Sequence, residues 1–363
     1  MFEIHRKDWT ELLTLLRLLN EDTIARADHK GRPTNIRVAL NSVARQEENG
    51  LRRYRRMADA IVITNDSEPD AEPIAVPLDL WDAATAHAFE LLREAGADEQ
   101  VIIDDETEAF LDEIRLLSIA GTAEGRHHLV LSLEGEREGL AIHLSRAGAA
   151  PSVLLDGGRT ANMKLEQTGT RFATPMAAKV NYLESENSIR DRMILIERMG
   201  STLHYYNVAD RVFRANIALI DLHLGRLLTE MLRMSYMDDL MRLDELVAAC
   251  RVLNPLKVST ELIEKHRYYE HKIAQLLLAC LAGMRPGKIY HGETSLPPYL
   301  VLLAPDSTPV LFDTTDREAL SSFLLSNTRL LRGSMEKDKY GFLERENNVY
   351  YFKLNLKIGL TKR

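Results

Sequence analysis

The chain has 363 residues with a formal net charge of -8, and 45% of the residues are hydrophobic and 28% charged. This is the composition of an ordinary globular protein, and the acidic total excludes a protein that coats nucleic acid through its overall charge. A local basic cleft for DNA stays compatible with it, because phosphate contacts depend on nearby charges. Cys250 and Cys280 are the only cysteines, which excludes a disulfide framework or a cysteine zinc site. With no apolar leader or span, we expect a cytoplasmic protein.

The first predicted element is an amphipathic helix over residues 8–20, whose leucines fall on one broad face. Asp8 and, three residues later, Glu11 fit a capping box, in which each side chain accepts a hydrogen bond from a backbone amide of the first turn. Glu11 therefore has two interpretations, a helix cap or a ligand of a metal ion.

Short strands are predicted between residues 35 and 65, divided by the polar turn QEENG. The second strand carries the densest basic stretch of the chain, grouped around Tyr54. Its four arginines are Arg52, Arg53, Arg55 and Arg56. The cluster is either a solvated strand paired with nearby carboxylates or a phosphate-binding surface.

Two helices, over residues 80–95 and 106–118, lead into a predicted antiparallel hairpin. Its strands alternate apolar and polar residues through 128–133 and 140–145, and residues 134–139 form the turn. Two strands of this kind can hold a metal site in which carboxylates bind Mg²⁺. We therefore expect this hairpin to be the centre of any catalytic site.

The chain is predicted to be mostly helical from residue 187 to 284 and to return to strands afterwards. One alternating strand is predicted over NVYYFKLNLKIGL, with one buried and one basic face. Residues 327–363 hold nine Lys and Arg against four Asp and Glu, which suits a DNA cleft or a basic edge strand.

The predicted strands and helices indicate the α+β class, with a helical middle segment and a C-terminal β region. The expected divisions are residues 1–180, 181–285 and 286–363, or one continuous domain.

Several segments keep a characteristic order along nearly the whole chain. They are DWTELLTLLRLLNEDTIARAD near the start, the hairpin followed by PSVLLDGGRTANM, NPL at residues 254–256, YYEHKIAQLLLACLAGM, and SNTRL with YYFKLNLKIGL. Together they resemble the HpaII family of type II restriction endonucleases. The resemblance implies a restriction-endonuclease-like fold of the PD-(D/E)XK kind, in which a mixed sheet core is flanked by helices. It also implies Mg²⁺-dependent cleavage of duplex DNA at a short palindromic site, CCGG in the type member, and a role in restriction and phage defence.

Carried over to this chain, the resemblance places the family's site on Glu11 and on the two hairpin strands. The metal-binding Asp of the first strand falls on His128, and the Lys of the second falls on His143 or Leu144, depending on the register. Neutral imidazole is a poor ligand for Mg²⁺, so binding of Mg²⁺ at the usual place is not expected. The metal ligands stay unassigned, and Mg²⁺ is implied only for a catalytically active chain.

Basic side chains supply the predicted contacts to double-stranded DNA. They are Arg52, Arg53, Arg55, Arg56, Arg159, Lys164, Arg332, Lys337, Lys339, Lys353 and Lys357. A palindromic target would call for a homodimer with twofold symmetry.

Three functions stay open. The first is a sequence-specific DNA-binding protein with a degenerate nuclease centre, whose partner protein supplies the chemistry. The second is an active endonuclease with a migrated site that uses a transition metal or a general base. Its candidate residues are Glu134, Glu136, Glu138, His127, His128 and His143. The third is a protein-interaction module of a defence system that no longer binds DNA.

Overall fold

The computed structural model describes residues 2–47, 50–116, 118–119, 129–292 and 295–361. The chain divides into two compact units. Unit 1 comprises Met1–Ser152, Ser295–Phe323 and Thr361–Arg363, and unit 2 comprises Val153–Thr294 and Leu324–Leu360. Within the described ranges, no helix combines the length and the hydrophobicity that crossing a membrane requires.

The elements before residue 152 confirm the predicted N-terminal helix, the arginine-rich strand and the hairpin. The strands are β1 Phe2–His5, β2 Thr23–Ala27, β3 Pro33–Glu47, β4 Gly50–Arg56, β5 Ala60–Asn65, β6 Ile74–Pro77, β7 Gln100–Ile103, β8 Leu129–Leu133 and β9 Gly139–Ser145. The helices are α1 Arg6–Leu18, α2 Leu78–Glu94 and α3 Asp105–Glu113.

The next part of the chain is rich in helices, as predicted, but it also contains strands. These strands are β10 Val153–Leu155, β11 Asn162–Gly169 and β12 Ser201–Val208, with a 3-10 turn at Gly158–Ala161. The helices are α4 Thr174–Asn181, α5 Ser188–Arg198, α6 Arg211–Ile220, α7 Leu224–Met237, α8 Leu243–Leu253, α9 Thr260–Glu264 and α10 Tyr268–Leu281.

The last part alternates strands with two helices. The strands are β13 Tyr299–Leu303, β14 Pro309–Asp313, β15 Thr328–Leu330, β16 Leu343–Glu346, β17 Val349–Asn355 and β18 Ile358–Leu360. The helices are α11 Arg317–Asn327 and α12 Met335–Asp338. The single strand predicted over the end of the chain is wrong, because it is broken at residues 356–357 and its halves join different sheets.

The sheet of unit 1 has the strand order β2-β14-β13-β9-β8-β3-β4-β5-β6. β9 runs parallel to β13 and β14 runs parallel to β2, whereas the predicted hairpin β8–β9 is antiparallel. β2 also pairs with the long strand β3, so six of these strands close into a ring. The predicted α+β class with a mixed sheet is confirmed.

Helix α1 packs its broad apolar face against this sheet and against α2. The indole N–H of Trp9 in α1 donates to the carbonyl of Ala88 in α2 at 3.0 Å. In return, the indole N–H of Trp81 in α2 donates to the carbonyl of Leu16 in α1 at 3.1 Å. Both rings are buried, so the two reciprocal bonds satisfy polar groups that burial would otherwise leave unpaired. They fix α1 over one face of the sheet.

The capping box predicted at the start of α1 is wrong. The N-cap residue is His5, whose Nδ1 accepts a hydrogen bond from the amide of Lys7 at 3.2 Å. Asp8 therefore lies inside the first turn, and Glu11 lies in the second turn with its side chain buried. Glu11 points into the protein, so its partners are found on the sheet.

Unit 2 contains two small sheets among its helices. Their strand orders are β12-β11-β17-β16 and β10-β18-β15. β11 lies in the middle of the first sheet, where it pairs antiparallel with both β12 and β17. The 3-10 turn that precedes β11 and the helix α12 are therefore held by the same sheet.

Candidate functional site

The hairpin register decides which side chains of unit 1 share the face covered by α1. Arg45 of β3 lies opposite Leu129 of β8, and Leu129 lies opposite Ala141 of β9, so these three side chains share one face. Alternation along β3 and β9 brings Glu47 and His143 to the same face, one step further along. His127 and His128 lie outside the described residues.

Glu11 reaches this face from α1 and meets the guanidinium of Arg45. Glu11 Oε1 lies 3.7 Å from Arg45 Nε, and Glu47 Oε1 lies 3.5 Å from Arg45 Nη1. The side chains of Arg45, Glu11 and Glu47 are only 0%, 2% and 1% exposed. A buried cation therefore stands between the two carboxylates of the face.

Arg52 and Tyr54 of β4 complete this group of buried charges. Arg52 Nη1 lies 3.5 Å from Glu47 Oε2, and the hydroxyl of Tyr54 donates to Glu47 Oε1 at 3.2 Å. Burial raises the pKa of Glu47, although Arg52 and Arg45 act in the opposite direction. We call Glu11, Arg45, Glu47 and Arg52 the buried ion network, in which two positive charges face two negative ones.

Both arginines of the buried ion network also donate to backbone carbonyls of the segment after α3. Arg45 bonds the carbonyls of Ser118, at 2.9 Å, and Ile119, and Arg52 bonds those of Ile114, at 2.7 Å, and Arg115. The helix predicted over residues 106–118 thus ends early, at Glu113, and the network holds residues 114–115 and 118–119 beyond it. Arg52 is buried among these partners, and its contact with DNA stays a prediction.

The donor set of this face does not fit Mg²⁺, which prefers several oxygen ligands in octahedral geometry. The two carboxylates, Glu11 and Glu47, share the guanidinium of Arg45, and the third side chain, His143, is an imidazole. In the described ranges no group of three or more His, Cys, Asp or Glu could hold a metal ion. Glu11 and His143 thus share the predicted face without forming a metal site there.

The glutamates of the hairpin turn, proposed as a migrated site, face separate arginines. Glu136 pairs with Arg26, and Glu138 Oε2 lies 2.7 Å from Arg53 Nη1. Arg53 also binds Asp66 at 2.8 Å, so it lies in a surface ion network. Glu134 is exposed.

The remaining arginines of β4 also divide between different surroundings. Arg56 donates to the carbonyl of Leu19 at 2.8 Å, whereas Arg55 is exposed. With Arg52 in the core and Arg53 paired with acids, the four arginines of the strand do not form one basic surface.

Unit 2 brings three of the predicted DNA-binding residues together. Arg159 lies in the 3-10 turn, and Lys337 and Lys339 lie in and directly after α12, all three exposed. The side-chain amide of Asn162 joins the two elements by donating to the carbonyls of Asp338, at 2.8 Å, and Lys339. We call Arg159, Lys337 and Lys339 the basic patch. None of the three makes an ion pair with another residue of the described ranges.

The other basic candidates of unit 2 are held by acids or by an aromatic ring. Lys357 pairs with Asp156 at 2.6 Å, and Lys353 pairs with Glu344. Lys164 pairs with Glu346 and lies 3.9 Å from the centre of the Tyr351 ring. Arg332 is exposed and lies over the ring of Tyr236.

Sequence reasoning missed the central residues of the site, Arg45 and Glu47. They occupy alternate positions of β3, in phase with the buried Val43. This spacing was the signal in the sequence that could have indicated their inward orientation. Glu47 belongs to the polar QEENG segment, which is predicted as a turn, and Arg45 directly precedes that segment, so neither residue is predicted to lie in a strand.

Comparisons with known proteins agree with the resemblance seen in the sequence. Residues 5–360 match the family model described as HpaII restriction endonuclease. The Type II restriction enzyme HpaII of Haemophilus parainfluenzae is 22% identical to this chain over 365 residues, which cover 98% of each chain. No solved structure matches the chain. Since the family model covers nearly the whole length, the chain belongs to the HpaII restriction endonuclease family.

Proposed function

We propose that this chain recognises a specific site in duplex DNA without hydrolysing it at the centre implied by the family. It would act as a recognition subunit in restriction or phage defence, with a partner that supplies the chemistry. The observation that carries the proposal is the Arg45 guanidinium between Glu11 and Glu47, on the face that also carries His143, one of the two positions on which the family's lysine falls.

The free energy of the buried ion pairs explains why a metal ion would bind poorly at this face. Removing one member of a buried ion network costs about 3–5 kcal/mol, because the remaining charge is left without compensation. A divalent ion that displaced Arg45 would have to offset this cost. Its apparent affinity would then fall by about two to four orders of magnitude. Mg²⁺, which gives up its waters reluctantly, is poorly suited to this competition.

Hydrolysis also needs groups that this face does not supply. Metal-dependent phosphodiester cleavage uses bound metal to activate water and to stabilise the developing negative charge. Here the positive charge of Arg45 is held by two carboxylates and by the carbonyls of Ser118 and Ile119, and it is buried. Its position is fixed by these partners, so it is not free to move to a phosphate.

DNA binding is supported by family membership and by the basic patch. Arg159, Lys337 and Lys339 are exposed, and the hydrogen bonds of Asn162 hold their two elements together. Phosphate binding depends on such local groups of positive charge, so the overall charge of -8 does not oppose it. A palindromic site would favour a twofold dimer.

The first test is binding to a labelled duplex of random sequence, measured by fluorescence anisotropy from about 0.05 to 0.2 M salt. We expect the dissociation constant to rise steeply with salt, because phosphate contacts release counterions. Supercoiled plasmid incubated with Mg²⁺ or Mn²⁺ under the same conditions should stay uncut. Metal-dependent cutting would instead favour an active endonuclease, and binding that ignores salt, or no binding, would favour a protein-interaction module.

A further inference from the structure

A polar cleft of about 430 Å³ opens in unit 2, beside the segment that leads into α12. Its walls come from the start of α5, the end of α7 and the residues around α12. The side chains that matter for its chemistry are Glu186, Tyr236, Asp239, Arg332 and Tyr340. Arg190 also lines the cleft, which thus combines two guanidinium groups, two carboxylates and two phenols.

Arg332 is held rigidly within this cleft although it is exposed. Its guanidinium carbon lies 3.7 Å from the centre of the Tyr236 ring. Nη1 donates to the hydroxyl of Ser235 at 3.0 Å, and Nη2 donates to the carbonyl of Ser235 at 2.6 Å. A guanidinium carries further N–H groups in the same plane, which stay available to a ligand.

The base of the cleft is also fixed. The hydroxyl of Tyr340 donates to the carbonyl of Gly333, next to Arg332 in the chain, at 2.8 Å. Burial raises the pKa of Tyr236 and of Tyr340, so both hydroxyls stay protonated at neutral pH. Its bonds to Ser235 and the fixed backbone at Gly333 already restrict the side chain of Arg332. Arg332 therefore loses little conformational entropy when it binds a ligand, as expected of a preorganised contact.

The surroundings of Arg332 favour a base edge over a backbone phosphate. Glu186 and Asp239 balance the charges of Arg332 and Arg190 in the cleft, so the cleft lacks the net positive charge that favours a phosphate. Base edges are neutral, and guanine offers O6 and N7, which an arginine binds with two parallel hydrogen bonds. The basic patch lies just beyond in the chain, since Lys337 follows Arg332 by five residues, at most about 18 Å of chain.

We infer that Arg332 reads a guanine in the major groove while the neighbouring basic patch binds the backbone of the same duplex. This inference rests on the proposed DNA binding and adds to it a residue that determines specificity. Tyr236 and Ser235 are positioning residues, because they hold the plane of the guanidinium and do not themselves meet the base.

The test compares the sequences that wild type and Arg332→Gln select from a randomised duplex library. We expect wild type to enrich a motif with a fixed guanine, and the variant to lose the preference at that position. Its affinity for the wild-type motif should fall about 5- to 150-fold, the range for loss of a bidentate contact to a base. Its affinity for random duplex should change less than about twofold, since no phosphate contact is removed.

Two further variants separate this role from others. Arg345 is also an exposed arginine beside a tyrosine, 5.9 Å from the Tyr350 ring, so Arg345→Gln is the matched control and should keep the motif. Arg332→Lys keeps the charge but loses the planar pair of donors. This variant should bind random duplex as wild type does and still lose the preference for guanine at that position of the motif. Equal weakening on motif and random duplex, or an unchanged motif, would overturn the inference. Absence of all duplex binding by the folded wild type would overturn the proposed function as well.

Discussion

Arg45→Met should lower the free energy of unfolding by about 3–5 kcal/mol. Methionine fills much of the volume of the arginine chain but leaves Glu11 and Glu47 buried without their shared cation. It also removes the donors to the carbonyls of Ser118 and Ile119. Urea unfolding followed by tryptophan fluorescence measures this loss directly, since both tryptophans of the chain, Trp9 and Trp81, lie in the core of unit 1.

Two controls show whether the loss comes from uncompensated burial. Adding Glu11→Gln to Arg45→Met removes the stranded charge and leaves Glu47 paired with Arg52, so we expect the double variant to regain part of the lost stability. Arg93→Met breaks an exposed pair in unit 1, in which Arg93 Nη1 and Glu90 Oε1 lie 2.9 Å apart, and should cost less than about 1 kcal/mol. A loss for Arg45→Met as small as that of Arg93→Met would mean that the buried ion network does not hold this face closed.

The network also shows which part of the site the sequence could not predict. Alternation along the hairpin put His143 on the polar face of its strand, whereas in the structure both faces of β9 are buried from Ala141 to Ser145. The inward position of Arg45 was readable from the spacing to Val43, but a single arginine on a strand does not reveal its partner. Glu11 comes from a helix and Arg52 from the next strand, and only the packing of α1 over β3 and β4 brings their charges together.

The fold was predictable where one period persisted over many residues. The leucines of α1 recur at helical spacing over the whole helix, so its existence was predicted and each of its ends was misplaced by two residues. β12 lies between helices, and its alternating burial was hidden in a stretch predicted to be helical. At the end of the chain the alternation continues through residues 356 and 357, so the break between β17 and β18 left no signal in the pattern.

The basic patch depends on tertiary structure even more strongly. Asn162, which joins its two elements, and Asp338, which accepts the bond, are 176 residues apart. The sequence identified Arg159, Lys337 and Lys339 as basic residues but gave no reason to place the first beside the other two. Their proximity follows from β11, which pairs with β17 and brings the 3-10 turn next to α12.

Removing the basic patch should weaken DNA binding in a way that depends on salt. Arg159→Ala, Lys337→Ala and Lys339→Asn together delete three cations, and Asn is chosen because Lys339 has a φ of 53°, which asparagine tolerates. Each lost phosphate contact reduces the slope of log K against log salt by about 0.9. We therefore expect the slope to become shallower by about 2.7 and the affinity for random duplex at low salt to fall on the order of 10²-fold.

A control variant that loses three positive charges elsewhere in unit 2 tests whether DNA binding depends on local contacts or on the total charge of the protein. Arg171, Lys179 and Arg211 are exposed, and replacing all three with alanine removes the same three charges. If the basic patch binds phosphates, this control keeps the wild-type slope, because exposed charges that do not contact the duplex are screened over roughly 7–14 Å between 0.05 and 0.2 M salt. Equal changes in slope for the two triple variants would assign the binding to net charge and remove the patch from the proposed DNA contact.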